Sequence, residues 1–346
     1  MSGWCLQYVY ASLVGELKGN PQYVMDYFTT FSHNPVRPAI WTLVILFTAH
    51  FVIIHGVRGG IERASKLMMP TLFVLLLIIV VASCLLPGAD KGVDFLLRPD
   101  FSKMTKSMFL GALGQSFYSL SIAMGCICTY ASYFSRQTNL LKSALQISVI
   151  DTIVAILAGL MIFPAAFSVG VNPGSGPSLV FVTLPNVFNH IALGRFWGSL
   201  FFLFLTFAAF STVLAVFENI VCCVSEMTGW NRKKTCLVCC VGIFLLSLPC
   251  LLGYNLWQNV RPVAGHDILD SEDFLVSNIL LPLGSLIFVL FCTTRYGWGW
   301  EKFLAEANTG SGPKLPESGA LRTLLHAYFA VVLPILILVI LIRGLM

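Results

Sequence analysis

Several apolar stretches of this chain run for 20 residues or more without one Asp, Glu, Lys or Arg, among them 38–57, 67–89, 107–135, 196–217, 235–260, 274–294 and 323–342. An eighth, 145–171, is broken only by Asp151. About 20 apolar residues in a helix cross the hydrocarbon core of a bilayer, so eight full spans are predicted. Composition agrees. Charged residues make up 11% of the chain and apolar ones 57%, against roughly 25% and 45–50% in soluble domains. So few polar residues cannot cover a water-facing surface, and the solvent is lipid.

The chain opens with a shorter apolar run, 2–15. It has no basic leading segment, and Gln7, Tyr8 and Tyr10 interrupt it, which argues against a secretory signal. It reads as the second half of a helix whose first half precedes Met1. An ammonium at that depth is expensive.

Orientation comes from the loops. The alternate set 58–66, 136–142, 224–234 and 295–322 carries 12 Lys and Arg in 55 residues, and the opposite set 18–37, 90–106, 172–195 and 255–273 carries 8 in 80. The richer set faces the cytoplasm under the positive-inside rule, which leaves the C-terminus outside. The net charge of +5 is therefore a topology signal and needs no nucleic-acid partner.

The 11 cysteines lie almost all within or beside apolar spans, where a thiol behaves as a small hydrophobe. Cys236-x-x-Cys239-Cys240 lacks the second pair or nearby His that a metal reading needs. Pro173-Gly-Ser-Gly-Pro177 is a turn cluster, and the apolar segment 178–185 after it is expected to fold back as a cap. Tyr296-Gly-Trp-Gly-Trp300, with Phe303 and Leu304, forms either an amphipathic interfacial stretch or an aromatic belt. The sequence shows no internal repeat, low-complexity region or soluble domain.

Polar residues inside spans mark function. Segment 107–135 holds Gly111, Gly114, Gln115, Ser116, Tyr118, Ser119, Ser121 and Gly125. Two readings stand: small residues that let helices pack closely, or a discontinuous helix whose unwound backbone binds substrate and ions. Asp151, with Thr152 beside it, is an acid that must be protonated, paired or bound to a cation. Ala208, Ser211 and Thr212 fall at i, i+3 and i+4 on one helical face, an oxygen-only set suited to a hard cation. Hydroxyls bonded back to the preceding turn would explain the same pattern. Glu218, seven residues after Ser211, is a gate or proton group, or the partner of a cytoplasmic-side Arg. His50 and His55 lie about 140° apart around their helix and do not share a metal. Neither G-x-S-x-G nor H-E-x-x-H occurs, and the chain is not read as an enzyme.

Gly114-Gln-Ser-Phe-Tyr-Ser-Leu-Ser-Ile-Ala-Met-Gly125, continuing to Thr129-Tyr-Ala-Ser-Tyr133, resembles the unwound sixth helix of the neurotransmitter:sodium symporter family. Asp151-Thr152 with Ala158-Gly159 and Phe163-Pro164 looks like its seventh helix, and Phe207-Ala-Ala-Phe-Ser-Thr212 like its eighth. Pro177-Ser-Leu-Val-Phe-Val-Thr-Leu-Pro185 resembles the fourth extracellular loop, and Gly60-Ile-Glu-Arg63 the loop before the fifth helix. Arg295-Tyr-Gly-Trp-Gly-Trp300 resembles a bacterial signature after the tenth.

The resemblance implies an all-α, inverted-repeat transporter fold with discontinuous helices, eight full transmembrane helices and a partial N-terminal one, corresponding to family helices 3 to 11. Residues 1–106 would be the remainder of the first repeat, 107–294 the second five-helix repeat, and 295–346 the cytoplasmic amphipathic loop and last helix. The first sodium site would take Ser119 and Asp151, and the second Ala208, Ser211 and Thr212. The substrate pocket would take Tyr118, Ser119, Ser121, Met124, Thr212 and Val216.

Two departures from the family follow. Ala123 replaces a common glycine of the unwound region. Ala155 stands where relatives carry a chloride-binding Ser or a substituting acid, so Asp151 supplies the charge and chloride is not expected to be required. The function expected is sodium-coupled symport of a hydrophobic or aromatic amino acid by alternating access, in a bacterial inner (plasma) membrane. The alternative expectation is a truncated, non-transporting membrane protein without family helices 1 and 2.

Overall fold

The computed structural model describes residues 1–135, 137–168, 179–263 and 265–345, apart from the side chains of Arg58, Lys103, Ser107 and Leu110. Every regular element among them is helical. Seven helices are long and apolar enough to cross a bilayer: Val36–Ile54, Gly59–Cys84, Leu140–Ser168, Gly194–Thr228, Arg232–Leu252, Ile268–Thr293 and Gly319–Leu345. Their outer faces carry residues such as Leu67 and Leu246, 73% and 79% exposed, as lipid-facing surfaces do.

The expectation of eight full spans is corrected here. Segment 107–135 is not one helix but two, Lys106–Ser119 and Cys126–Ser132. Between them Ser121, Ala123 and Gly125 have φ of 51°, 67° and 82°. Left-handed backbone cannot continue a right-handed helix, so three such residues in five positions interrupt it. Helix ends elsewhere follow local chemistry. Gly229, at φ 68°, closes Gly194–Thr228, and two residues later the Asn231 side chain accepts from the Lys234 amide to start the next helix. Left-handed glycine after a helix and Asn before one satisfy end groups that would otherwise stay unpaired.

The chain forms two compact units: Met1–Pro99 with Ala155–Val260, and Asp100–Val154 with Arg261–Met346. In the first unit the opening run forms the helix Ser2–Val14, packed on Gly194–Thr228 and Val36–Ile54. A Cβ on Gly3 would stand 2.8 Å from the Trp41 carbonyl carbon, so glycine sets this approach. Trp4 meets the rings of Phe28, Phe31, Phe181 and Tyr254 at 5.1 to 5.8 Å. Gln7, polar in an apolar run, is buried and satisfied: Trp41 Nε1 donates to its Oε1, and its Nε2 donates to the Tyr27 hydroxyl at 2.8 Å. Tyr27 in turn donates to Glu16 at 3.0 Å, and burial pushes its phenol up from the ordinary value.

The cap is a turn of π-helix, Leu179–Thr183, followed by Leu184–Asn189. It folds back onto the first unit. Phe181 packs parallel to Phe28 and Phe202, and the Asn189 amide donates to the Leu17 carbonyl at 2.8 Å. The Pro173–Pro177 turn cluster lies outside the described residues.

In the second unit the amphipathic helix Trp300–Ala307 buries Trp300, Leu304 and Ala307. Its aromatic residues pack on the last helix, with the Trp300 ring 4.8 Å from His326 and 5.8 Å from Phe329. Two buried asparagines order the neighbouring loop. Asn139 donates to the carbonyls of Thr309 and Pro313 and caps the Lys142 amide. Asn308 exchanges bonds with Leu315 and donates to Glu317.

Candidate functional site

The broken helix brings Ser119 to the end of its first half, and there the Ser119 hydroxyl donates to Asp151 Oδ2 at 2.6 Å. Asp151 reaches this point from the 29-residue helix Leu140–Ser168. Thr152 beside it bonds back to the Ser148 carbonyl at 2.9 Å and takes no part in the pairing. Helix Leu281–Thr293 presses on the break, since a Cβ on Gly284 would lie 2.8 Å from the Ala123 Cβ. Tyr118, one position before Ser119, lines a cavity of about 910 Å³ with Gln115, Asp273, Asn278 and Arg343. Ser121 stands within the break at φ 51°, and the Met124 amide donates to its carbonyl at 3.4 Å.

The second predicted set lies on Gly194–Thr228 in the first unit. The Ala208 carbonyl accepts from Ser211 Oγ at 2.7 Å and from Thr212 Oγ1 at 3.3 Å. Three oxygens therefore converge on one helical face. Bonding back to the turn uses each hydroxyl's hydrogen and leaves its lone pairs available. Val216, one turn beyond Thr212, is 38% exposed.

Glu218 is fully buried and paired with an arginine. Arg232 Nη1 and Nη2 donate to its two oxygens at 3.0 and 2.6 Å, and Arg232 Nε and Nη2 also donate to the Ile53 carbonyl at 3.0 and 2.7 Å. Of the readings open for this acid, an Arg partner is what is found. His55 Nδ1 lies 2.6 Å from the Phe51 carbonyl. No group of three or more metal-ligating side chains occurs among the described residues.

These features define a class: an all-helical, multi-pass membrane protein with a helix broken beside a serine–aspartate pair. Residues 32–258 match the sodium:neurotransmitter symporter family, and the chain belongs to that family of transporters. It is 37% identical over 300 residues to an uncharacterized sodium-dependent transporter of Haemophilus influenzae, covering 84% of this chain and 65% of the relative. It is also 37% identical over 312 residues to the uncharacterized sodium-dependent transporter YhdH of Bacillus subtilis, covering 90% and 68%. The chain thus spans about two thirds of the length of these curated relatives. The crystal structure of MhsT in complex with L-phenylalanine matches with a TM-score of 0.87 at 35% identity, covering 99% of this chain and 76% of that one.

Proposed function

We propose that this chain serves sodium-coupled symport of a hydrophobic or aromatic amino acid by alternating access. The observation that carries the reading is the hydrogen bond from Ser119 to Asp151 at the helix break, in a family of sodium symporters. Both side chains offer oxygen to a hard cation. If the Ser119 hydroxyl turns its hydrogen away, two oxygens are free for sodium, and the carboxylate supplies the charge. That charge is also why chloride is not required. The second sodium is assigned to Ala208, Ser211 and Thr212, which already converge.

Tyr118, Ser119, Ser121 and Met124 of the second unit, and Thr212 and Val216 of the first, are the residues we assign to substrate, and their apolar members favour a large apolar side chain. The phenylalanine bound by MhsT fits this class. Residues 107–294 are read as the second repeat of an inverted-repeat architecture, and the chain as family helices 3 to 11 in a bacterial inner membrane with its C-terminus outside. Substrate and sodium sharing Ser119 would couple their binding, so the inward sodium gradient drives uptake.

The test is uptake of radiolabelled phenylalanine into proteoliposomes bearing the protein expressed from its own gene. Accumulation under an inward sodium gradient, competed by leucine and tryptophan, is expected. Uptake indifferent to sodium, or competed better by glutamate or lysine, would overturn the proposal.

A further inference from the structure

A second cavity in the second unit, about 500 Å³, shares no lining residue with the one at Tyr118. It is lined by Arg295, Lys302, Arg322, Glu301, Trp300 and His326, among others. Glu301 is paired with Arg322. Arg295 and Lys302 have no acidic partner among the described residues, and the Arg295 guanidinium lies over the Tyr296 ring, 5.6 Å from its centroid. The cavity is therefore cationic by two charges.

Independent observations point to an anion with several acceptor oxygens. Trp300 is only 6% exposed, yet its Nε1 has no acceptor among the described residues, and Arg322 Nε and His326 Nε2 are buried and unpartnered in the same sense. Buried polar atoms rarely stay unpaired, and here three belong to side chains lining one cavity. The helix Trp300–Ala307 also begins on this lining with no side-chain cap, and the first amides of a helix have no partner within it. A helix start among cations suits a phosphate.

Location selects the source of that phosphate. The cavity lies where Ile268–Thr293 ends and Gly319–Leu345 begins, on the loop set richest in Lys and Arg. Beside it Tyr296 is 91% exposed, and Leu321 and Leu324 are each 66% exposed. These residues form an interfacial apolar surface on which acyl chains can lie. Basic pockets between helices at the cytoplasmic leaflet suit anionic headgroups. We propose that this cavity holds the phosphate of an anionic phospholipid of the cytoplasmic leaflet, which fixes Trp300–Ala307 against the last helix. The siting in that leaflet rests on the loop-charge orientation and not on the transport reading.

Calorimetric titration of the whole protein in a neutral detergent with dihexanoyl phosphatidylglycerol, dihexanoyl phosphatidylcholine and inorganic phosphate tests this. Phosphatidylglycerol should bind at least about tenfold more tightly than either other probe, and Arg295→Gln with Lys302→Gln should weaken it by a similar factor. Both residues are exposed, so the double variant should melt like the parent. Lys66→Gln, which removes an exposed cation of the first unit, should bind as the parent does. Equal affinity for the two lipids, an unaffected double variant, or phosphate binding as tightly as phosphatidylglycerol would overturn the proposal.

Discussion

Replacing Arg232 with methionine would remove the bidentate ion-pair partner of Glu218, whose side chain is 0% exposed while that of Arg232 is 33% exposed. The pair is bidentate, at 3.0 and 2.6 Å. Removing one member of a buried pair costs about 3–5 kcal/mol, because the remaining charge stays desolvated. With the arginine one-third open to solvent, the low end applies, about 3 kcal/mol. Replacing both residues by apolar ones is often close to neutral, so Glu218→Met with Arg232→Met should return to within about 1 kcal/mol of the parent, less the bonds lost to the Ile53 carbonyl. The four proteins form a double-mutant cycle, measured by SDS-induced unfolding in mixed micelles, with an expected coupling of about 2 kcal/mol. Additive effects, or an Arg232→Met loss within the 0.2–1 kcal/mol of an exposed ion pair, would refute the reasoning that Arg232 and Glu218 stabilise the fold as a buried pair.

Other perturbations probe the site and its frame. Gly284→Ala should slow sodium-driven uptake by forcing the new Cβ against Ala123 at 2.8 Å, and Ala123→Gly in the same chain should restore it by removing both the contact and the left-handed strain of about 1–2 kcal/mol. Failure of that rescue would detach Gly284 from the break. Ser211→Ala with Thr212→Ala should shift the sodium titration of uptake to higher concentration, and an unchanged titration would return both hydroxyls to packing. Asn139→Ala removes two carbonyl contacts and a helix cap, each worth about 1 kcal/mol. It should open the loop at Lys314 to trypsin in limited proteolysis.

The long helices were legible because uninterrupted apolar length is a signal no neighbouring segment can alter. Their ends were less so. Segment 235–260 reads as continuous, yet its helix stops at Leu252, and the apolar residues beyond serve the fold otherwise, with Tyr254 packed on Trp4. The density of Gly and Ser in 107–135 marked the break, while close packing remained an equal reading. What decided it was left-handed backbone at Ser121 and Ala123, and neither residue type announces that conformation. Ser119 and Asp151 came together in the sequence only through the family resemblance, since 32 positions separate them. Glu218 was visible as an intramembrane acid, but its partner follows from the tight Gly229 to Asn231 turn that folds Arg232 back. Asn139 and Asn308 looked like ordinary loop residues, because burial of a short polar side chain depends on the loop that wraps it.

Sodium-dependent substrate binding bears most directly on the symport reading. Equilibrium binding of radiolabelled phenylalanine to the detergent-solubilised protein, titrated with sodium, would be compared between the parent and Asp151→Ala. The parent should bind more tightly as sodium rises, and Asp151→Ala should need markedly more sodium and lose the first site's share of that dependence, keeping only what Ala208, Ser211 and Thr212 supply, with its thermal unfolding profile unchanged. A sodium titration in Asp151→Ala that is unchanged from the parent would contradict the assignment of the first sodium to the Ser119–Asp151 pair.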